Sequence, residues 1–260
     1  MHNRKTQLNA IERLLNIMDD LRVGCPWDKK QTFESLRKLT IEETYELADA
    51  IAEKNLSEIK KELGDLLLHI VFYSKIGSES NAFDFADVAN SISEKLIYRH
   101  PHIYGDTKVK DDLEVLENWE ALKLKEKKDK RVLEGVPKSL PALVKANRIQ
   151  EKVRGVGFDW DEKSQIWDKV QEELNELKDE LTLENNFEKQ EAEFGDFLFS
   201  MINAARLYGI DPEMALERTN KKFTKRFNYL EDETIRKGKS LHDMNLEEMN
   251  AIWEKAKKFD

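Results

Sequence analysis

The sequence contains one cysteine, Cys25, in 260 residues. No internal disulfide can form, and a reducing compartment, the cytoplasm, is expected. Glycine and proline number only 10 and 5, roughly half the usual share, which excludes a turn-rich β-sandwich or barrel and any proline-rich low-complexity class. No apolar run reaches the length of about 18 residues that spanning a bilayer requires. The N-terminal stretch MHNRKTQLNAIERLL has no uninterrupted apolar core of signal-peptide type. Zinc-protease HExxH and zinc-ribbon CxxC patterns are missing, as is GxGxxG. Gly238-Lys239-Ser240 looks like the end of a phosphate loop, but Glu233 stands where its first glycine belongs. Basic residues are outnumbered, 43 Lys and Arg against 52 Asp and Glu, for a net charge of −9. That balance argues against nucleic acid as a partner. It leaves room for a small anionic substrate, because a bound cation inverts the local field.

Hydrophobic residues make up 40% of the chain and charged residues 37%, a mixture suited to helices that bury one stripe and wet the rest. Leu63, Leu66, Leu67, Ile70 and Val71 recur at the spacing of a core-facing helix, as do Phe194, Phe197, Leu198, Met201, Ile202 and Ala205. No period-two segment is bounded by turn residues at both ends. The fold class is therefore all-α.

Those two stretches belong to an internal repeat. Glu42, Glu43 and Glu46 form EExxE, followed by Glu62 and Asp65 as ExxD; Glu172, Glu173 and Glu176 form the second EExxE, followed by Glu193 and Asp196. The offset is 130 residues for the first cluster and 131 for the second. Lys95 and Arg99 match Lys222 and Arg226, Trp119 matches Trp253, and Trp27-Asp28 matches Trp160-Asp161. A period of this size is a domain duplication, not a solenoid. The charge run and the punctuation by Gly135, Pro137 and Pro141 place the boundary at about 125–140. Two tandem helical domains are expected, 1–130 and 131–260.

Helix positions i, i+3 and i+4 share a face, so each EExxE and ExxD aims its carboxylates together. A turn is expected between them at Lys54-Asn55 and at Glu184-Asn185-Asn186. Antiparallel helices joined there bring four or five carboxylates to one level. Such a group repels itself unless protons or cations intervene. An oxygen-only donor set selects a hard ion, Mg²⁺ or Mn²⁺, over Zn²⁺. One acidic run alone reads as a solvated face; here both clusters flank an apolar stripe, which favours metal binding. Lys222 and Arg226 share a face that suits phosphate oxygens, although on spacing alone they read as an ordinary solvated basic surface. Lys189 sits one turn before Glu193, and Trp253 suits either base stacking or core anchoring. A di-iron bundle would need ExxH on facing helices; His69 follows Asp65 by four residues, and the second copy has Ser200 there.

The stretch GCPWDKKQTFESLRKLTIEETYELADAI, residues 24–51, resembles the MazG family of nucleoside triphosphate pyrophosphohydrolases. VGFDW (156–160), EELNEL, EAEFGDFLF and NKKFTKRF extend the resemblance over nearly the whole chain. It implies an all-α pyrophosphatase fold, a Mg²⁺-dependent conversion of NTP and water to NMP and pyrophosphate, and a homodimer that completes the helical bundles. It further implies that the C-terminal copy is the active one. Glu173, Glu176, Glu193 and Asp196 would hold Mg²⁺, and Glu172 would assist them or orient water. Lys189, Lys222 and Arg226 would meet the triphosphate and Trp253 the nucleotide. The N-terminal copy keeps its carboxylates, Lys95, Arg99 and Trp119, but has no lysine at the position aligned with Lys189. Two other readings stay open at this point: a non-catalytic helical dimer that binds nucleotides or a protein, and a narrower dUTP or phosphoribosyl-ATP pyrophosphohydrolase.

Overall fold

The computed structural model describes residues 3–111, 114–115, 118–119, 122, 131–236 and 238–259. Among the described residues there is no strand, in keeping with the all-α expectation. The chain divides into two compact units, Met1–Val115 and Leu116–Asp260. Most of the charge run expected at the domain boundary, residues 123–130, and Glu120 lie outside the described residues. No helix among the described residues is long and apolar enough to cross a membrane.

In the first unit, α1 (Arg4–Gly24) begins at Asn3, whose side chain accepts from Lys5 N at 2.9 Å. A capping box of Thr32 and Ser35 starts α2 (Phe33–Ala52). Lys54 takes a left-handed φ of 55°, and Asn55 then caps α3 (Leu56–Glu79) by accepting from Ser57 and Glu58. This three-residue link folds α2 and α3 into an antiparallel hairpin, at the turn expected from Lys54-Asn55. Asp84 and Asp87 open α4 (Phe85–Arg99), and a short α5 (Pro101–Tyr104) follows. Helix α1 packs across α3 around buried Met18, Leu36, Val71 and Phe72, each stabilising by about 1.5–3 kcal/mol.

Arg22 ties this packing together. Its Nε and Nη2 hold both Glu79 oxygens at 2.8 and 2.6 Å. Its Nη1 donates to Asp28 O and to Gln31 O, and the guanidinium lies 5.6 Å from the Phe72 ring centre. The Arg22 hydrogen bonds hold the Glu79 carboxyl below its ordinary range. Its contribution is therefore present above the unfolded glutamate pKa of about 4.3 and is lost as pH falls through the lower folded value. Arg22→Ala is expected to destabilise the first unit by about 2 kcal/mol and to flatten the acid limb of its stability profile. Urea melts at pH 7 and pH 4 check both effects.

In the second unit, α6 (Ala142–Arg154) starts directly after Pro141. Helices α7 (Ile166–Leu181) and α8 (Phe187–Leu207) form the second hairpin. Its turn carries Asn185 at φ 57°, and Gln190 Nε2 donates to Glu180 O and Leu183 O across it at 3.1 and 2.9 Å. Helix α6 packs on α8 and on α9 (Pro212–Arg236), and α9 pairs with α10 (Leu246–Ala256), which Asn245 and Glu248 cap. Ile166, Val170 and Ala204 form the buried cluster against Phe197 and Leu207.

The apolar stripes are not wholly internal. Val71 and Ile202 are buried, but Leu63, Ile70, Phe194, Leu198 and Met201 are exposed, Leu63 and Phe194 by 52% each. Helical spacing identifies a stripe, not what covers it. In one chain, the far edge of each stripe turns past the hairpin partner and meets solvent.

Candidate metal centre

Each hairpin brings three carboxylates together. One oxygen from each of Glu43, Glu62 and Asp65 lies within 4.8 Å of the other two, and Glu173, Glu193 and Asp196 do the same. The i, i+3 pair on the second helix of each hairpin supplies two oxygens, and the middle of the first helix supplies the third. Glu62 and Glu173 are buried. Burial raises the Glu193 carboxyl above its ordinary range, and the charges of Glu176, Asp196 and Glu173 add to the rise. Burial and then Asp65, Glu46 and Glu62 raise Glu43 in the same way. Proximity of like charges thus makes both groups costly without a cation.

The residues fit a hard divalent ion on three counts. Every donor is oxygen. Glu62 is 3% exposed, yet its Oε2 has no hydrogen-bond partner, Oε1 being taken by Lys61 Nζ at 2.8 Å. In the second trio a side-chain cation already leans on the acids, with Lys169 Nζ 2.7 Å from Glu173 and 2.8 Å from Glu172. Sequence reading did not single out Lys169, although its i+3 and i+4 spacing to these glutamates was visible.

The other expected site residues fall around the trios. Glu172 and Glu176 are exposed on α7; Glu172 is held by Lys169, and the charge of Glu176 is felt at Glu193. Glu42 and Glu46 are exposed on α2. Lys189 is exposed in the first turn of α8, and Lys222 is exposed on α9. Arg226 and Trp253 are brought together, the guanidinium 5.6 Å from the indole centre, with Phe223 packed on Trp253 at 4.9 Å. On α4, Lys95 is exposed and Arg99 half-buried; Trp119 is half-buried.

A cavity of about 540 Å³ opens against the second trio and has Glu173 and Asp196 in its wall. Phe158, Trp160 and Phe199 give it aromatic sides, and Gln150, Ser200 and Asn203 give it polar atoms. Its rim is the VGFDW segment, which turns at Gly157 with a left-handed φ of 84° that favours glycine. Asp159 docks that segment onto α8. Arg206 Nη1 donates to its Oδ2 at 3.0 Å and Nη2 to its Oδ1, while Arg206 Nε holds Asn203 Oδ1 at 3.0 Å. Burial opposes the Asp159 charge, but the hydrogen bonds from Arg206 and the Trp160 backbone and the charges of Arg206 and Arg154 together hold the carboxyl below its ordinary range. Gln150, Asn203 and Arg206 were not singled out from the sequence, and Trp160 and Ser200 were noted there without a place in a cavity, because its wall comes from three separated segments.

The first unit carries different residues on the inner faces of its hairpin. By the repeat register, Thr40, His69 and Tyr73 stand where the second unit has Val170, Ser200 and Ala204. Thr40 Oγ1 lies 2.6 Å from His69 Nδ1 and 2.7 Å from Tyr73 Oη, and Phe33 stacks on Tyr73. Burial keeps His69 below its ordinary pKa, partly opposed by Asp65.

Comparison with known proteins adds three findings. Residues 31–104 match the family model described as the MazG nucleotide pyrophosphohydrolase domain. The chain is 42% identical over 258 residues to a nucleoside triphosphate pyrophosphohydrolase of Escherichia coli, covering 96% of this chain and 98% of that protein. It is 43% identical over 251 residues to the nucleoside triphosphate pyrophosphohydrolase/pyrophosphatase MazG of Thermotoga maritima, covering 95% of each.

Proposed function

The chain belongs to the MazG family, and from that premise we propose that it is a nucleoside triphosphate pyrophosphohydrolase working at the second carboxylate trio. The reaction hydrolyses the anhydride between the α- and β-phosphates. Water oxygen bonds to the α-phosphorus, the bridging P–O bond breaks, and pyrophosphate departs from the monophosphate. The observation that carries the choice of unit is the cavity shared with Glu173 and Asp196. A nucleoside lodged there sets its α-phosphate beside the trio; the first unit carries the larger His69 at the position of Ser200, a residue of that wall.

In this reading Glu173, Glu193 and Asp196, with Glu176 and Glu172 beside them, hold Mg²⁺, and Mn²⁺ satisfies the same oxygen donors. Bound Mg²⁺ supplies Lewis acidity, making water more acidic and offsetting charge on the phosphates. Glu172 or Glu173 accepts the proton lost by water. Lys169 fixes the direction of both carboxylates through its two contacts. Lys189, Lys222 and Arg226 offset triphosphate charge, and Trp253, packed with Arg226, contacts the nucleotide. The active form is a homodimer in the cytoplasm; the exposed far edges of the α3 and α8 stripes support the dimer, since a partner would bury them.

Product analysis tests the assignment. Incubation with Mg²⁺ and an NTP is expected to release monophosphate and pyrophosphate in equal amounts, and EDTA is expected to stop it. Diphosphate plus orthophosphate, or no turnover with any NTP, overturns it.

A further inference from the structure

We propose that Asn203 binds the nucleobase in the second unit, its Nδ2 donating a hydrogen bond to an acceptor on the base edge. The inference rests on the nucleoside occupying the cavity beside Glu173 and Asp196. Arg206 Nε and Nη2 both donate to Asn203 Oδ1, at 3.0 and 2.8 Å. A guanidinium only donates, so these contacts settle which end of the carboxamide is NH₂. Asp159 holds the same guanidinium, whose side chain is 8% exposed, so the amide has one orientation. Asn203 is half-buried in the cavity wall. Its Nδ2 has no partner among the described residues, and unlike the Gln150 oxygen it keeps a surface that a ligand can reach. A polar group fixed in this way by its neighbours is preorganised to bind.

Register along α8 decides which part of a nucleotide meets it. Asp196, Ser200 and Asn203 stand at i, i+4 and i+7, on one face of the helix. At 1.5 Å per residue, Asn203 lies about 10 Å along the axis from Asp196. A phosphate held at the trio leaves the ribose at the level of Ser200 and the base at that of Asn203. Phe158, Trp160 and Phe199 border the same space, and their flat faces suit a base more than a sugar. Asp159 stands between Phe158 and Trp160 in the chain, so Arg206 fixes the aromatic rim and the amide donor together. By the repeat register the first unit has Phe72 at this position, buried in its core, which donates nothing. Adenine and cytosine offer ring nitrogens as acceptors, and guanine and uracil offer carbonyl oxygens. Ser200 and Lys169 line the cavity as well, so its wall carries acceptors and donors. The Asn203 contact thus adds affinity for a base without choosing between amino and oxo bases.

Asn203→Asp is the test, because a carboxylate keeps the acceptor for Arg206 and puts oxygen in place of NH₂. Calorimetry on the full-length protein with Mg²⁺ compares AMP with ribose 5-phosphate, which lacks the base. The wild type is expected to bind AMP more tightly. In Asn203→Asp the AMP affinity is expected to fall at least about tenfold, while that for ribose 5-phosphate stays within about threefold, the new charge lying about a Debye length from the trio. A similar loss of kcat/KM is expected for ATP, GTP, CTP and UTP. Asn203→Ala adds no charge and is expected to show the same pattern with a loss of about threefold or more; it replaces the aspartate variant if that one does not fold. AMP bound no more tightly than ribose 5-phosphate by the wild type, equal losses on the two ligands, unchanged AMP affinity in a folded variant, or a kcat/KM loss confined to amino or to oxo bases overturns this role of Asn203 and leaves pyrophosphohydrolase activity standing. Absence of wild-type turnover with all four nucleotides is the separate failure of the underlying reading.

Discussion

Glu173→Gln and Asp196→Asn are each expected to lower pyrophosphate release on the order of a hundred- to a thousandfold, with helical circular dichroism unchanged. Both substitutions keep side-chain volume and remove one charge from the trio. Glu173 is the buried member, held by Lys169 at 2.7 Å, and Asp196 shares the cavity wall with it. Glutamine and asparagine offer a neutral oxygen to a divalent ion in place of a charged one, which weakens binding and leaves the phosphate charge uncompensated. Glu43→Gln is the matched control, because Glu43 holds the equivalent place in the first trio. It is expected to keep at least about half of wild-type turnover, an order-of-magnitude expectation for a site that performs no chemistry. Wild-type rates in both second-unit variants, or a loss in Glu43→Gln equal to theirs, would place the chemistry elsewhere.

The second large effect comes from enlarging one residue of the cavity wall. Ser200→His puts into the second unit the residue that its counterpart carries at position 69. In the first unit the imidazole is held by Thr40 at 2.6 Å; in the second, Val170 stands at the Thr40 position and offers no hydroxyl. The ring then has the cavity itself as its available space. The expected result is a loss of kcat/KM for NTPs of at least about tenfold, with Mn²⁺ affinity unchanged, because position 200 lies one helical turn beyond Asp196 and outside the trio. Steady-state kinetics paired with Mn²⁺ titration by electron paramagnetic resonance separates these effects. Unaltered kcat/KM in a folded Ser200→His protein would remove the nucleoside from this cavity.

Much of the architecture was readable before any coordinates. The hairpin turns fall at Lys54-Asn55, where Asn55 caps the following helix, and at Asn185-Asn186, where Asn185 takes the left-handed backbone that asparagine tolerates. The carboxylate groups converge because i, i+3 spacing on one helix is a local rule that burial elsewhere does not disturb. Periodicity was a poorer guide to burial. Leu63, Ile70, Phe194 and Leu198 continue their stripes in register and are nonetheless exposed, since spacing along a helix carries no information about how wide its neighbour is.

What the sequence determined alone was therefore local and repeated: helices, turns, and two acidic faces that cannot stay uncompensated when folded together. The sequence already distinguished the two copies at Lys189 and at His69 against Ser200; only the tertiary structure put a cavity beside the second trio. A cavity is the space left between segments distant in the chain, here α6, the 157–160 rim and α8, so no local pattern of the sequence announces it.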